Sequence, residues 1–249
     1  GKAGGLLLAL LSGSREYTDE KLSEAFRLSG LSHVLALSGM HLSIFSGFAL
    51  NVTNKIFGKK KSVIFSIFFV LFFVWFAGFS PSLFRALLCF LIIAFSEYLS
   101  IDISMLSVLS LSFLLQIIFR SDDVNSVSFI LSYSALTGII LLSDFFYKFF
   151  SYILIKKFSE GFSVSLSAQV FTSMITAKIF KIISPTGIIA SVFTSDLFNI
   201  FLISGFILVL LSLLFPPLIN VSGLLLNYIY IIIEKVVIFF AQVKPIVFN

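Results

Sequence analysis

Seven stretches of this chain are apolar over the length a helix needs to cross a bilayer, and that pattern constrains the fold more than any other feature. They fall at 62–79, 83–99, 103–119, 126–143, 163–180, 187–214 and 217–240. Roughly 17–25 predominantly apolar residues in helical form bridge the hydrocarbon core. Residues 30–50 make a weaker eighth stretch, less apolar and rich in Ser and Gly. In lipid a backbone must satisfy its own N–H and C=O groups, so runs of this length read as helices. The expected fold is all-α, a polytopic transmembrane helical bundle of about seven to eight spans. It forms one domain over residues 1–249, with an entry segment and surface helix at 1–29 and the bundle at 30–249. Composition agrees: 59% of residues are hydrophobic and 12% charged, against roughly 25% charged in soluble domains. Mean hydropathy is +1.11. One soluble core could not hide that much apolar surface. Lipid can cover it.

The segments between the spans have their own character. The apolar run from Gly4 to Leu11 is too short to cross and sits behind Lys2 like a signal-peptide core, but no small-residue cleavage site follows. Residues 14–27 carry Arg15, Glu16, Asp19, Glu20, Lys21, Glu24 and Arg27 and read as a surface helix. Residues 145–158 mix aromatics with Lys148, Lys156 and Lys157, the pattern of an interfacial amphipathic helix. Breaks are expected at Ser80-Pro81, Asp122-Asp123, Pro185 and Pro216-Pro217. Lys55, Lys59, Lys60 and Lys61 form the strongest basic cluster, and Lys148, Lys156 and Lys157 the second. Four expected spans separate the two clusters, so both fall on one side of the cytoplasmic membrane, the inner one by the positive-inside rule. Arg120, Lys178 and Lys181 fall on the other.

Polarity inside the spans bears most on function. Ser165, Gln169, Thr172 and Thr176 share a helix face; Ser191, Ser195 and Asn199 repeat every four residues beside Asp196; Asn125, Ser128 and Ser132 form a shorter stripe. Such faces turn toward other helices or a wet cavity, because an unpaired polar group in hydrocarbon is costly. Interhelical glue and a hydrated path both fit. Arg85, Asp196 and Glu234 in or near spans add weight to the path. Cys89 is the only cysteine, which excludes an intrachain disulfide and a cysteine-based metal cluster.

The segment Gly30-Leu31-Ser32-His33-Val34-Leu35-Ala36-Leu37-Ser38-Gly39-Met40-His41-Leu42 holds the chain's two histidines. As a helix it would carry a ridge of small residues, Gly39, Ser43 and Gly47, admitting a second backbone. A helix would also set His33 and His41 about 12 Å apart along the axis and about 80° apart around it, too far for one metal ion. No metal and no other cofactor is expected. His41 lies three residues beyond Ser38, so a nucleophilic serine with a histidine base remains geometrically open.

Gly30-Leu31-Ser32-His33, Leu35-Ala36, Ser38-Gly39 and His41 resemble the signature segment of the ComEC-type competence family. Leu10-Leu11-Ser12-Gly13 and the charged stretch to Arg27 are similar to its entry. Arg85-Ala86 after Gly78, Phe129-Ile130-Leu131-Ser132-Tyr133, Ala168-Gln169 and Ser184 through Ala190 resemble later motifs in the same order. Departures are Ile130 where the family has Gln, Ser191 where it has Asn, and Met174 and Asp196 where prolines are common. The family adds an OB-like domain before this core and a metallo-β-lactamase-like domain after it; neither is in this sequence. A start at Gly1 rather than Met is what a middle piece excised from a longer protein would have.

The resemblance implies a channel, not an enzyme, that passes single-stranded DNA through the cytoplasmic membrane in natural transformation. The expected partners are the strand, the lipid bilayer, a DNA receptor, a separate ATP-driven motor, since no P-loop pattern occurs, and a second copy of the chain. The residues expected to line the conduit are His33, Ser38, Gly39, His41, Arg85, Ser132, Gln169, Ser195, Asp196 and Asn199. Arg85, one turn into its span, either snorkels to the interface or turns inward to phosphates or Asp196. An intramembrane hydrolase using Ser38 and His41, and a small-solute permease, are the alternatives.

Overall fold

Helix ends in this chain are written by its capping residues. In the computed structural model, Asp19, Ser80, Ser104 and Ser126 each accept a backbone N–H from the first turn they precede, satisfying one of the donors a helix start leaves open. Pro81 occupies the first turn behind Ser80, where its missing N–H costs nothing. The structure describes residues 1–14, 16–35, 39–215, 217, 219–243 and 245–247; the side chains of 40, 48, 57, 59, 60, 210, 213, 219 and 220 also lie outside the description.

The elements run α1 Lys2–Ser12, α2 Glu20–Leu28, α3 Gly39–Phe57, α4 Lys59–Ala77, α5 Pro81–Leu99, α6 Met105–Phe119, a short 3-10 turn Ser121–Asn125, α7 Val127–Ser151, α8 Lys156–Phe180, β1 Ile182–Ile183, α9 Thr186–Leu214, α10 Ile219–Ala241 and β2 Ile246–Val247. The all-helical expectation holds apart from β1 and β2, which pair antiparallel with Ile182 opposite Val247. Among the described residues four helical stretches are long and apolar enough to cross a membrane: Pro81–Leu99, Val127–Ser151, Thr186–Val209 and Val221–Ala241. The apolar runs at Lys2–Ser12, Lys61–Ala77 and Met105–Phe119 are shorter. α8 is 25 residues long, but the Ser, Thr and Gln stripes dilute its hydropathy.

Three expectations are corrected. Residues 145–158 do not form an interfacial helix: α7 runs on to Ser151, Tyr152–Ile155 turn, and Lys156 opens α8. The physical reason is that no Gly or Pro interrupts Leu141–Ser151, so nothing stops helical propagation. Residues 30–35 are not helical, because α2 ends there in a Schellman motif. Gly30 takes φ +77°, Leu31 N donates to Phe26 O at 2.9 Å, and Gly30 N donates to Arg27 O at 3.3 Å. The axial separation expected for His33 and His41 on one helix therefore does not apply. The small-residue ridge is used only at one end: Ser43 is exposed and Gly47 faces open space.

α1 belongs to the core, with Leu6, Ala9 and Leu10 almost wholly buried. It packs on α4, α9 and α10. Lys2 Nζ lies 2.6 Å from Asp19 Oδ2, and that contact, followed by the Lys21 N–H, holds the Asp19 carboxyl below the usual carboxylate range. α2 buries Leu22, Ala25 and Phe26 and leaves Glu20, Lys21, Glu24 and Arg27 outside, as an amphipathic surface helix should. Phe26 meets Phe198 of α9 with ring centroids 5.6 Å apart. Phe45 of α3 sits between Phe73 of α4 at 4.3 Å and Phe206 of α9 at 4.8 Å. A smaller core joins Leu109, Phe129 and Tyr133.

Outside these cores the helices present apolar bulk: Phe68, Trp75, Phe95, Ile118, Phe145 and Leu224 are all exposed. A soluble monomer does not tolerate apolar surface on this scale; a bilayer does.

Candidate functional site

Three segments far apart in sequence meet near the N-terminal ends of α3, α5 and α7. Ser80 and Pro81 set the start of α5, which places Arg85 one turn in. Its Nη1 donates to the backbone carbonyl of Ser132 on α7, and its guanidinium lies over the Tyr133 ring, 5.9 Å from the centroid. The other end of the guanidinium rests beside Gly39, the first residue of α3. A Cβ at Gly39 would stand 3.0 Å from Arg85 Nη2 and 3.4 Å from Ala86 Cβ. Gly39 is thus the residue that lets the α3 end approach the arginine.

Arg85 turns toward α7. It is partly buried, and its Nε is enclosed without a hydrogen-bond partner among the described residues. Nor does it meet Asp196, which pairs with Lys157 at the start of α8. Among the described residues the ion pairs are Lys2–Asp19, Arg27–Glu24, Arg120–Asp123, Lys156–Glu160 and Lys157–Asp196. Arg85 belongs to none of them. A guanidinium with donors to spare and no carboxylate, placed beside the positive end of a helix, has the chemistry to accept an anion.

Behind this arginine lies a polar network that the sequence pattern does not single out. Gln116 of α6 is fully buried and donates from Nε2 to Pro81 O at 3.0 Å and to Asp123 Oδ2 at 3.0 Å. Tyr133 OH donates to Gln116 Oε1 at 3.0 Å and lies 3.4 Å from Ser112 Oγ, to which Cys89 Sγ also donates at 3.4 Å. Arg120 holds Asp123 at 3.3 Å and lies over the rings of Phe79 and Phe84. The network joins the α4–α5 turn to the α6–α7 turn. Its visible signal was Ser112 and Gln116, four residues apart on one face of α6.

A second junction brings together the signature segment and the approach to α9. A Cβ at Gly30 would stand 2.9 Å from Ser184 Cβ and 3.0 Å from Gly187 Cα, so two backbones meet there in near contact. Gln169 Nε2 donates to Ser184 O at 3.1 Å, and Ser165 Oγ lies 2.9 Å from Ser191 Oγ. Two of the polar stripes therefore face each other across α8 and α9. Thr172, Thr176 and Ser195 instead return their hydroxyls to their own helix backbone, and Asn199 Oδ1 is buried with no partner among the described residues. Of the third stripe only Ser132 reaches Arg85; Asn125 is exposed in the 3-10 turn.

The histidines separate. His33 is exposed, with Nδ1 3.2 Å from Gly30 O, whereas His41 is fully buried on α3. Ser38 lies outside the described residues. Both α8 and α9 pass through Met174 and Asp196 as continuous helices, as expected where proline is replaced. Among the described residues no group of three or more His, Cys, Asp or Glu side chains stands close enough to hold a metal ion.

A family model described as competence protein matches residues 10–248. ComE operon protein 3 of Bacillus subtilis (strain 168) is 26% identical over 144 residues, which cover 57% of this chain and 18% of that protein. Recombination protein 2 of Haemophilus influenzae (strain ATCC 51907 / DSM 11121 / KW20 / Rd) is 28% identical over 101 residues, 37% of this chain and 13% of that protein. The aligned parts thus span less than a fifth of either relative. No solved structure matches the chain.

Proposed function

The chain belongs to the competence protein family, and on that premise we propose that it is the membrane-embedded conduit through which one DNA strand crosses the cytoplasmic membrane in natural transformation. The observation that carries this reading is the Gly39–Arg85–Ser132 junction: a partly buried guanidinium with no carboxylate among the described residues, where three family-like motifs converge. A strand of phosphates needs counter-charge along its path, since an anion without it faces a large desolvation cost in a dry interior. It also needs that charge to be sparse, so that binding stays weak enough for release. One arginine at a helix junction, without an acidic partner among the described residues, meets both demands. The names of the two relatives, one for a competence operon and one for recombination, agree with a role in DNA uptake. The reading is of a channel, with a DNA receptor, an ATP-driven motor and a second copy of the chain as partners.

The test is reconstitution of the purified chain in vesicles with a potential or a motor supplied. Labelled single-stranded DNA is expected to become nuclease-protected inside. Uptake of small solutes without DNA would point to a permease, and hydrolysis of a lipid or peptide lost on Ser38→Ala would point to an enzyme.

We also count about seven or eight of the helices as spans, which makes a topological prediction. α4, α5, α6 and α7 lie between Lys61 and Lys157, so reporter fusions after those two lysines should both read cytoplasmic. A fusion after Asp122 should read the opposite side. Opposite readings at Lys61 and Lys157 would show that an odd number of these four helices crosses, α4 and α6 being the shorter apolar ones.

A further inference from the structure

The α3–α4 hairpin carries a feature that DNA conduction does not use. Between the two helices lies a cavity of about 260 Å³ lined by Ala49, Val52 and Thr53 of α3 and Phe65, Phe68, Phe69 and Phe72 of α4. Val52, Phe65, Phe68 and Phe72 are exposed, so the cavity opens on the outer, lipid-facing surface. At its neck Thr53 Oγ1 lies 2.7 Å from Ser62 Oγ and Ser62 donates to Leu50 O at 3.1 Å. Both hydroxyls are thus engaged within the hairpin, and the wall below them is left apolar.

Lys55 and Lys61 stand at the loop end of this hairpin. Lys61 precedes Phe65 by one helical turn, and Lys61, Phe65, Phe68 and Phe72 follow i, i+4, i+7, i+11, one face of α4. Lys55 follows Val52 by three residues in the last turn of α3, at the same end of the hairpin as Lys61. Both lysines are exposed, and neither joins an ion pair among the described residues. Lys59 and Lys60 belong to the same turn by sequence. No Asp or Glu occurs anywhere between Glu24 and Glu97, so the hairpin has no acid of its own to balance them.

We propose that this hairpin is a binding site for an anionic phospholipid, its headgroup on Lys55 and Lys61 and one acyl chain in the cavity against Phe65, Phe69 and Val52. Charge complementarity selects the occupant: a zwitterionic lipid would fill the apolar cavity but leave the lysines unbalanced. Anionic headgroups are enriched in the cytoplasmic leaflet, where each lysine near the surface contributes about 1 kcal/mol of attraction. The proposal rests on the membrane reading of the chain and is independent of whether it conducts DNA.

Trp75 is the chain's single tryptophan, and its ring centroid lies 5.9 Å from that of Phe72 at the end of the cavity. It is therefore a built-in reporter. The protein is reconstituted in mixed vesicles of phosphatidylglycerol and phosphatidylcholine, with bromine on the acyl chains of one lipid at a time. Brominated phosphatidylglycerol is expected to quench Trp75 with an apparent association up to about thirtyfold above that of brominated phosphatidylcholine, the contribution of two surface lysines. Lys55→Gln with Lys61→Gln should bring the ratio to about one. Val52→Phe, which fills the cavity and leaves the lysines in place, should also lower it, in protein that still elutes as one species. Equal quenching by the two lipids in the wild-type chain would overturn the proposal, as would a ratio unchanged in both variants. Loss of the ratio on adding a single-stranded oligonucleotide would assign the lysines to nucleic acid and overturn it as well.

Discussion

Arg85→Glu, made in the full-length protein, should lower transformation by about a hundredfold or more while the protein reaches the membrane at normal abundance. The guanidinium donates to the Ser132 carbonyl and lies on the Tyr133 ring. A carboxylate in its place would face that carbonyl oxygen and repel every phosphate that passes. The informative variant is Arg85→Lys. An ammonium keeps the charge but not the planar fork of donors, so it can hold Ser132 or reach outward, and not both at once. A hydrogen bond from a charged group is worth roughly 1.5–3 kcal/mol, so uptake should fall about tenfold in the lysine variant. If Arg85 were only a brace between α5 and α7, the loss would follow the amount of folded protein and disappear on normalising to it. Transformation frequency divided by membrane abundance is the measurement. Wild-type values for Arg85→Glu would remove this arginine from the conduit.

Gly30→Ala should be severely destabilising, whereas Gly47→Ala should be harmless. Gly30 holds φ +77°, a conformation that costs a residue with a Cβ roughly 1–2 kcal/mol. The added carbon would also stand 3.0 Å from Gly187 Cα and 2.9 Å from Ser184 Cβ. Neither contact is the free end of a flexible side chain, so backbone must move, at a further cost of about 1–3 kcal/mol. Gly47 lies inside α3, where an added methyl would meet nothing within 4 Å, and alanine there gains about 0.5–1 kcal/mol of helix propensity. Thermal unfolding of the detergent-solubilised chain, followed by size-exclusion elution, separates the two. Similar melting curves for both variants would mean that the α2 cap does not seat against the start of α9.

The helices themselves were largely legible from residue type alone. The apolar runs at 83–99, 187–214 and 217–240 return as α5, α9 and α10 within a few residues, because length and hydropathy are local properties and lipid leaves a backbone no alternative to the helix. The breaks at Ser80-Pro81 and Pro185 were equally local, since they follow from a cap and from a missing N–H. The family signature was legible too, as residue identities in order.

What the linear pattern could not supply was partnership. Arg85 and Asp196 both looked like charges seeking a partner inside the membrane, yet Asp196 pairs with Lys157 and Arg85 takes a backbone carbonyl. Which charges meet depends on how helices cross, and no spacing within one helix records that. Gly39 and Gly47 belong to one small-residue ridge, but among the described residues a Cβ would meet a neighbour at Gly39 and none at Gly47. Gln116 and Asp123, central to the network behind Arg85, show in the linear pattern only as a polar residue in a span and half of an expected break, because that they meet is decided when the α6–α7 turn packs back on α6. Sequence by itself determined that this chain is helical, belongs in lipid and carries the marks of its family, because those follow from transfer free energy and residue identity. Tertiary structure alone decided that, among the described residues, the Arg85 guanidinium is left without a carboxylate where α3, α5 and α7 meet, because that balance is struck between helices.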